Sequence, residues 1–198
     1  MDLQIRGWIN STMPPWGITC ARALARLGQG GPLSLLALVV CVFETVHRRN
    51  LQAIFQWAMT FILLLALVLP QKIFFRRGAP GDPINAVRFF SKPFCGTPAC
   101  QSYPSGHAAN AVVWYGVIAF ALSHYISEIS RRAIQIALVS VVALAAVVSG
   151  YHWLTDTIAG LFLGILVRAL AIHAATLISG LNTNFNRPRW RVARRDEE

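Results

Sequence analysis

Charge is scarce in this sequence. Of 198 residues only 13% are Asp, Glu, Lys or Arg, and the acidic ones number 8 against 18 basic. With 55% hydrophobic residues and a mean hydropathy of +0.50, the chain is too apolar for a disordered segment or an ordinary soluble globule. The first 15 residues hold no apolar run of leader length, so no cleaved signal is expected. Internal repeats are also lacking. Cysteine is limited to Cys20, Cys41, Cys95 and Cys100. The last two form a C-x4-C pair with no second pair to complete a structural zinc site. A Cys95–Cys100 disulfide would stabilise by about 2 kcal/mol and would persist only in an oxidising compartment; the spacing leaves a bridge and two free thiols both open.

What is there is apolar length. Five stretches approach the ~20 residues needed to cross about 30 Å of hydrocarbon as a helix, at 32–47, 51–70, 105–125, 133–151 and 157–178. The fold expected is therefore all-α, a single integral membrane bundle over 1–198. Ahead of it, 14–28 opens on helix-start prolines, sets Arg22 and Arg26 on one face and closes on glycine. That pattern predicts an amphipathic surface helix within an N-terminal interfacial segment, 1–29. A sixth span there would bury both arginines.

The formal net charge of +10 would suggest nucleic acid in a soluble protein. Here the basic residues fall between apolar runs, so membrane lipids are the expected partner and nucleic acid is not. Two spans separate the 71–104 loop from the 152–156 turn, which places both on one side. Arg48, Arg49, Arg131, Arg132 and the basic 182–198 tail lie on the other, which reads as cytoplasmic by the positive-inside rule. The 71–104 loop is then extracytoplasmic, and its Lys72, Arg76, Arg77, Arg88 and Lys92 run against that rule. Cations held on that side need another purpose, such as binding an anion.

Three polar clusters share this face: KIFFRRGAP from Lys72 to Pro80, YPSGHAAN from Tyr103 to Asn110, and SGYHWLTD from Ser149 to Asp156. In the second, Pro104 and Ser105 open a helix whose first-turn amides, with Gly106 allowing close approach, suit an anion. His107 then stands beside the bound group as a proton donor. In the third, His152 and Asp156 are four apart, close enough for the carboxylate to orient one ring nitrogen and free the other as base or nucleophile. Asp156 would also cap the final span. Lys72 and Arg77 would neutralise a phosphate, although snorkelling accounts for either alone. Zinc on His107, His152 and Asp156 is a rival that the nearby cations oppose.

In this order the clusters resemble the type 2 phosphatidic acid phosphatase superfamily, whose pattern is K-x6-R-P, P-S-G-H and S-R-x5-H-x3-D. Lys72 and Pro80 keep the first spacing, Pro104, Ser105, Gly106 and His107 reproduce the second motif, and His152 with Asp156 reproduces H-x3-D. The resemblance implies His152 as phosphohistidine nucleophile, Asp156 as its partner, His107 as general acid and no metal or other cofactor. It departs where the motif arginines fall on Ala79 and Ala146 and the motif serine on Ala145. Arg77 is the expected substitute for part of that charge, with Arg76, Arg88 or Lys92 assisting. The family core usually has six spans, against five plus a surface helix here.

The function expected is a metal-independent lipid phosphatase acting on a polyprenyl or phospholipid phosphate or diphosphate, with Lys72, Arg77, Ser105 and Gly106 holding the phosphate. Its setting would be a bacterial plasma membrane with the site outward. A lipid phosphotransferase and a weakly active lipid-phosphate binder remain alternatives. A transporter has less support, because no span is broken near its middle, although Arg168 and His173 lie at membrane depth.

Overall fold

A computed structural model describes residues 1–80, 87–90 and 101–185. Cys95, Cys100, Lys92, residues 81–86 and 91–100 of the 71–104 loop, and the tail beyond 185 lie outside the described residues. Among those described there is no strand, and five helices are long and apolar enough to cross a membrane. They are α3 (Gly30–Arg48), α4 (Gln52–Phe75), α5 (Gly106–Ala121), α6 (Glu128–Val148) and α7 (Leu154–Phe185). Each overlaps most of one expected apolar stretch, and the chain is an all-helical integral membrane protein.

The N-terminal segment differs from expectation. The 14–28 stretch does form α2 (Pro15–Ala25), which a short 3-10 turn extends to Gly28, but a separate helix α1 (Asp2–Thr12) precedes it. Gly7 and the mixed polar composition conceal α1 in the sequence, because neither favours an isolated helix. The structure holds it from its own first turn: Asp2 accepts from the Thr155 amide at 3.2 Å and from the Thr155 hydroxyl, and pairs with Arg77 at 2.7 Å.

The spans are arranged around α5. Half of its membrane-length window is buried, whereas at most 28% of any other span is. Small and β-branched residues, among them Ala108, Ala109, Val113 and Val117, are buried around its whole circumference, as a central helix requires. Trp114 is fully buried against Leu33, Ala37 and Cys41 of α3, Ala53 of α4 and Val167 of α7. The outer faces carry exposed Leu36, Phe74, Leu144, Phe162 and Ile165, surface that lipid rather than water would cover.

Two glycines set how closely α7 approaches α5. A Cβ on Gly160 would lie 2.4 Å from the Ser105 carbonyl oxygen, and one on Gly164 would lie 2.9 Å from the Val112 Cβ. Four residues apart on one helix face, they let the backbones meet as small-xxx-small pairs do in membranes. The contact brings the start of α5 against the start of α7, where the Ser105 amide donates to the Asp156 carbonyl at 2.9 Å. Deeper in the bundle Arg168 lies against Gly116 of α5 rather than on the lipid face, since a Cβ there would meet its Nε at 2.8 Å.

Candidate active site

A cavity of about 750 Å3 opens where the ends of α4 and α6 meet the starts of α3, α5 and α7. Lys72, in the last turn of α4, reaches its wall and donates to the Gln101 carbonyl at 2.7 Å. Past Phe75 the chain turns through a left-handed residue, Arg76 (φ +44°), and Arg77 points inward rather than toward the cavity.

The two histidines meet directly. His107 Nδ1 lies 3.1 Å from His152 Nε2, with ring centroids 5.2 Å apart. The other His152 nitrogen, Nδ1, is 2.9 Å from the Ser102 carbonyl oxygen. A carbonyl can only accept, so Nδ1 carries the proton and Nε2 presents its lone pair to His107. The His152 backbone is fixed as well, its amide donating to the Ala146 carbonyl at 3.1 Å. Burial, then the positive charge of Lys72, then His107 hold the His152 imidazole well below its ordinary pKa, with the Ser102 hydrogen bond opposing them. His152 is thus a neutral base with its lone pair aimed at the cavity. Tyr151 stacks on His107 at 5.6 Å and lines the same space.

Asp156 does not touch His152. One of its oxygens accepts from the Ser102 hydroxyl and, at 3.1 Å, from the Trp153 amide; the other accepts from Arg77. The Trp153 bond is the capping contact that starts α7. Asp156 acts on His152 through Ser102, whose side chain it holds while the Ser102 carbonyl orients the ring. Sequence spacing had pointed to direct contact. A backbone carbonyl acceptor needs no particular side chain, so nothing in the sequence marks Ser102 for this role.

Arg77 and Ser105, both expected on the phosphate, are placed otherwise. Arg77 is 3% exposed and bonds the Val87 carbonyl at 3.0 Å, the Thr155 hydroxyl at 2.7 Å, Asp2 and Asp156. Its guanidinium also lies 4.9 Å from the Phe89 ring. With its donors engaged by two carboxylates, it is a buried strut behind His152. Ser105 is fully buried, and its hydroxyl caps α5 by accepting from the Ala108 amide at 3.3 Å. Gly106 does line the cavity, and the first-turn amides of Gly106 and His107 remain as donors there. Arg76 lies over the Phe90 ring at 6.0 Å, away from this wall.

Ala79 lines the cavity and Ala146 is buried beside it, so neither provides charge. The cations that the sequence reading missed are Arg6 of α1 and Arg22 of α2, which line the cavity with Lys72. No Asp or Glu is among the described lining residues. Among the described residues, no three His, Cys, Asp or Glu side chains gather closely enough to hold a metal ion.

Comparison with known proteins gives a consistent picture. The structure is similar to the crystal structure of a transmembrane PAP2-type phosphatidylglycerolphosphate phosphatase from Bacillus subtilis, with a TM-score of 0.69 and 23% identity over 95% of this chain and 87% of that one. It is also similar to Aquifex aeolicus LpxE, with a TM-score of 0.62 and 22% identity over 86% of this chain and 94% of that one. A search of curated protein sequences gives no match. A model of the PAP2 superfamily matches residues 53–178, a segment that includes Lys72, His107, His152 and Asp156 and exceeds half of the chain; the protein therefore belongs to the PAP2 superfamily.

Proposed function

We propose that the protein is a membrane lipid phosphatase that hydrolyses a lipid phosphate monoester or diphosphate through a phosphohistidine on His152. The observation that carries the reading is the 3.1 Å contact of His107 Nδ1 with His152 Nε2 on a cationic cavity wall. A nucleophile and a proton carrier stand on either side of the place where phosphorus would enter. The Bacillus subtilis relative, a phosphatase of a phospholipid phosphate, supports the substrate class.

In the first displacement the phosphoryl group separates the two rings. His152 Nε2 forms a bond to phosphorus as the bond to the lipid oxygen breaks, and His107, protonated on binding the anionic substrate, gives its proton to that oxygen. The Ser102 carbonyl holds the Nδ1 proton and stabilises the positive charge that develops on the ring. Lys72 and the Gly106 amide hold the non-bridging oxygens. In the second displacement water attacks phosphorus, its proton passes to His107, and the P–N bond breaks. No step requires a metal.

An apolar groove of about 520 Å3 between α1, α6 and α7, bordered by Ile9, Ala143, Leu144 and Ile158, accommodates a lipid chain beside the polar cavity. The head enters at the cations while the tail stays at membrane depth. We place this face on the outer side of a bacterial plasma membrane, because Arg48, Arg49, Arg131 and Arg132 at the opposite face mark that side as cytoplasmic by the positive-inside rule.

A phosphate-release panel on detergent-purified protein tests the reading. His152→Ala should abolish turnover, and His107→Ala should reduce it by about 10²–10⁴-fold, with wild-type activity unchanged by a chelator. Full activity in His152→Ala would remove the nucleophile, and loss on chelation would favour a metal. A headgroup transferred to an alcohol, instead of released phosphate, would make the enzyme a phosphotransferase.

A further inference from the structure

Two guanidiniums reach the histidine cavity from helices outside the segment that defines the family, residues 53–178. Arg6 of α1 is half-buried, and its Nη1 donates to the Val147 and Val148 carbonyls at 3.4 and 3.2 Å, at the end of α6. Its head lies over Gly150, two residues before His152; a Cβ there would be 3.0 Å from both Nη1 and Nη2. Gly150 also has φ +79°, so a bare, left-handed residue makes the room for Arg6.

These bonds occupy one nitrogen of three. Nε and Nη2 have no protein acceptor among the described residues, which leaves free the flat guanidinium edge that grips two oxygens of a phosphate at once. Arg22 is close enough for its charge, after burial, to hold Arg6 below its ordinary pKa. Buried Arg77 and the helix-surface Arg48 and Arg132 all pair with carboxylates, whereas neither Arg6 nor Arg22 does among the described residues. Lys72, on the same wall, is bonded among the described residues only to a neutral carbonyl. Like charges held together without a counterion are costly, and a bound anion relieves that cost.

We propose that Arg6 and Arg22 form an anion subsite that binds a phosphate group in this cavity, with the free edge of Arg6 taking two oxygens and Arg22 adding charge at the mouth. The N-terminal helices then belong to the active site and supply guanidinium contacts at a wall where Ala79 and Ala146 supply none. The assignment of the anion as a lipid phosphate rests on the phosphatase reading; the subsite itself rests on the geometry.

The test uses the full chain in detergent as wild type, Arg6→Gln, Arg6→Lys, Arg22→Gln and Arg26→Gln. It measures thermal stabilisation by inorganic phosphate and KM and kcat on phosphatidic acid and phosphatidylglycerolphosphate. Losing a charge-assisted bidentate contact should weaken phosphate binding and raise KM by about tenfold or more in Arg6→Gln. Arg6→Lys keeps the charge without the fork and should recover part of that loss. Exposed Arg22→Gln, where misfolding is not at issue, should show a smaller loss of the same kind. Arg26, exposed and away from the cavity, should behave as wild type. Loss with free phosphate and both lipids assigns the subsite to the transferred phosphoryl group; loss with phosphatidylglycerolphosphate alone assigns it to the diester phosphate of that headgroup. Arg6→Gln and Arg22→Gln that match wild type in both measurements would overturn the subsite. Wild-type protein that binds phosphate through Arg6 yet hydrolyses neither lipid would instead overturn the phosphatase reading and leave the subsite standing.

Discussion

His152 uses its two ring nitrogens in opposite senses: Nδ1 donates to a backbone carbonyl and Nε2 keeps a lone pair beside His107. Its lowered pKa has a consequence for stability. The unfolded chain takes up a proton near the ordinary value of 6.5, whereas the folded site resists it, so the unfolded state binds more protons and stability falls as pH drops below about 6.5. Melting temperatures in detergent should decline between about pH 7 and 5, and the slope should be shallower in His152→Gln; an unchanged slope would mean that the ring is not held neutral. Asp2 acts in the same sense but in a more acidic window. Burial alone would raise its pKa, but the Thr155 and Arg77 contacts outweigh burial and lower it, so its contribution is present above about pH 4 and lost as pH falls through the depressed value. Arg77→Ala would leave the Asp2 and Asp156 carboxylates buried without their shared counterion. A loss of about 3–5 kcal/mol is expected on thermal or denaturant unfolding; an effect below about 1 kcal/mol, the range of an exposed pair, would contradict the strut assignment. The sequence singled out His107, His152 and Asp156 because their spacing carries information. It assigned Arg77 to the phosphate because a basic residue looks the same whether it faces a ligand or a buried carboxylate.

Among the helices, the packing of α7 on α5 governs whether the site assembles. Gly160→Ala would gain up to ~1 kcal/mol of helix propensity, yet its Cβ would stand 2.4 Å from the Ser105 carbonyl oxygen, a backbone atom that cannot swing aside. The clash should win. Overpacking costs about 1–3 kcal/mol, and displacing the start of α5 by even a fraction of an ångström misplaces His107, so activity should drop by tenfold or more. A Cβ at Gly7 of α1 would meet nothing within 4 Å, and Gly7→Ala should stabilise α1 without loss of activity. Melting shifts of opposite sign, with activity lost only in Gly160→Ala, are expected; equal effects would argue that the tight approach of α5 and α7 is unimportant. The spans themselves were legible, because each is an unbroken apolar run long enough for a bilayer. Helix α1 was not. Its hold on the bundle comes from Asp2 and Arg6 meeting partners near positions 77, 147 and 155, contacts distant in sequence that leave no local periodicity.

Taken as a whole, the molecule gathers at one end of a five-span bundle what the chain keeps far apart. Gly30 at the start of α3 lies against Asn110 of α5, Ser105 bonds to Asp156, and Ala146 at the end of α6 holds the His152 amide. Alternating spans bring the three polar clusters to one face, which is why their co-location could be read from the count of apolar runs before any contact was known. The wall that completes the cavity could not be read in that way, because Arg6 and Arg22 come from helices that cross nothing and match no motif. What the assembled end performs is, in this account, transfer of a phosphoryl group to one imidazole. The direct measurement is to mix the purified protein with a lipid phosphate labelled on phosphorus, quench at alkaline pH and locate the label by peptide mass spectrometry. The account predicts an acid-labile label on His152 that is absent from His152→Ala. Label on any other residue, or continued hydrolysis by His152→Ala, would contradict it.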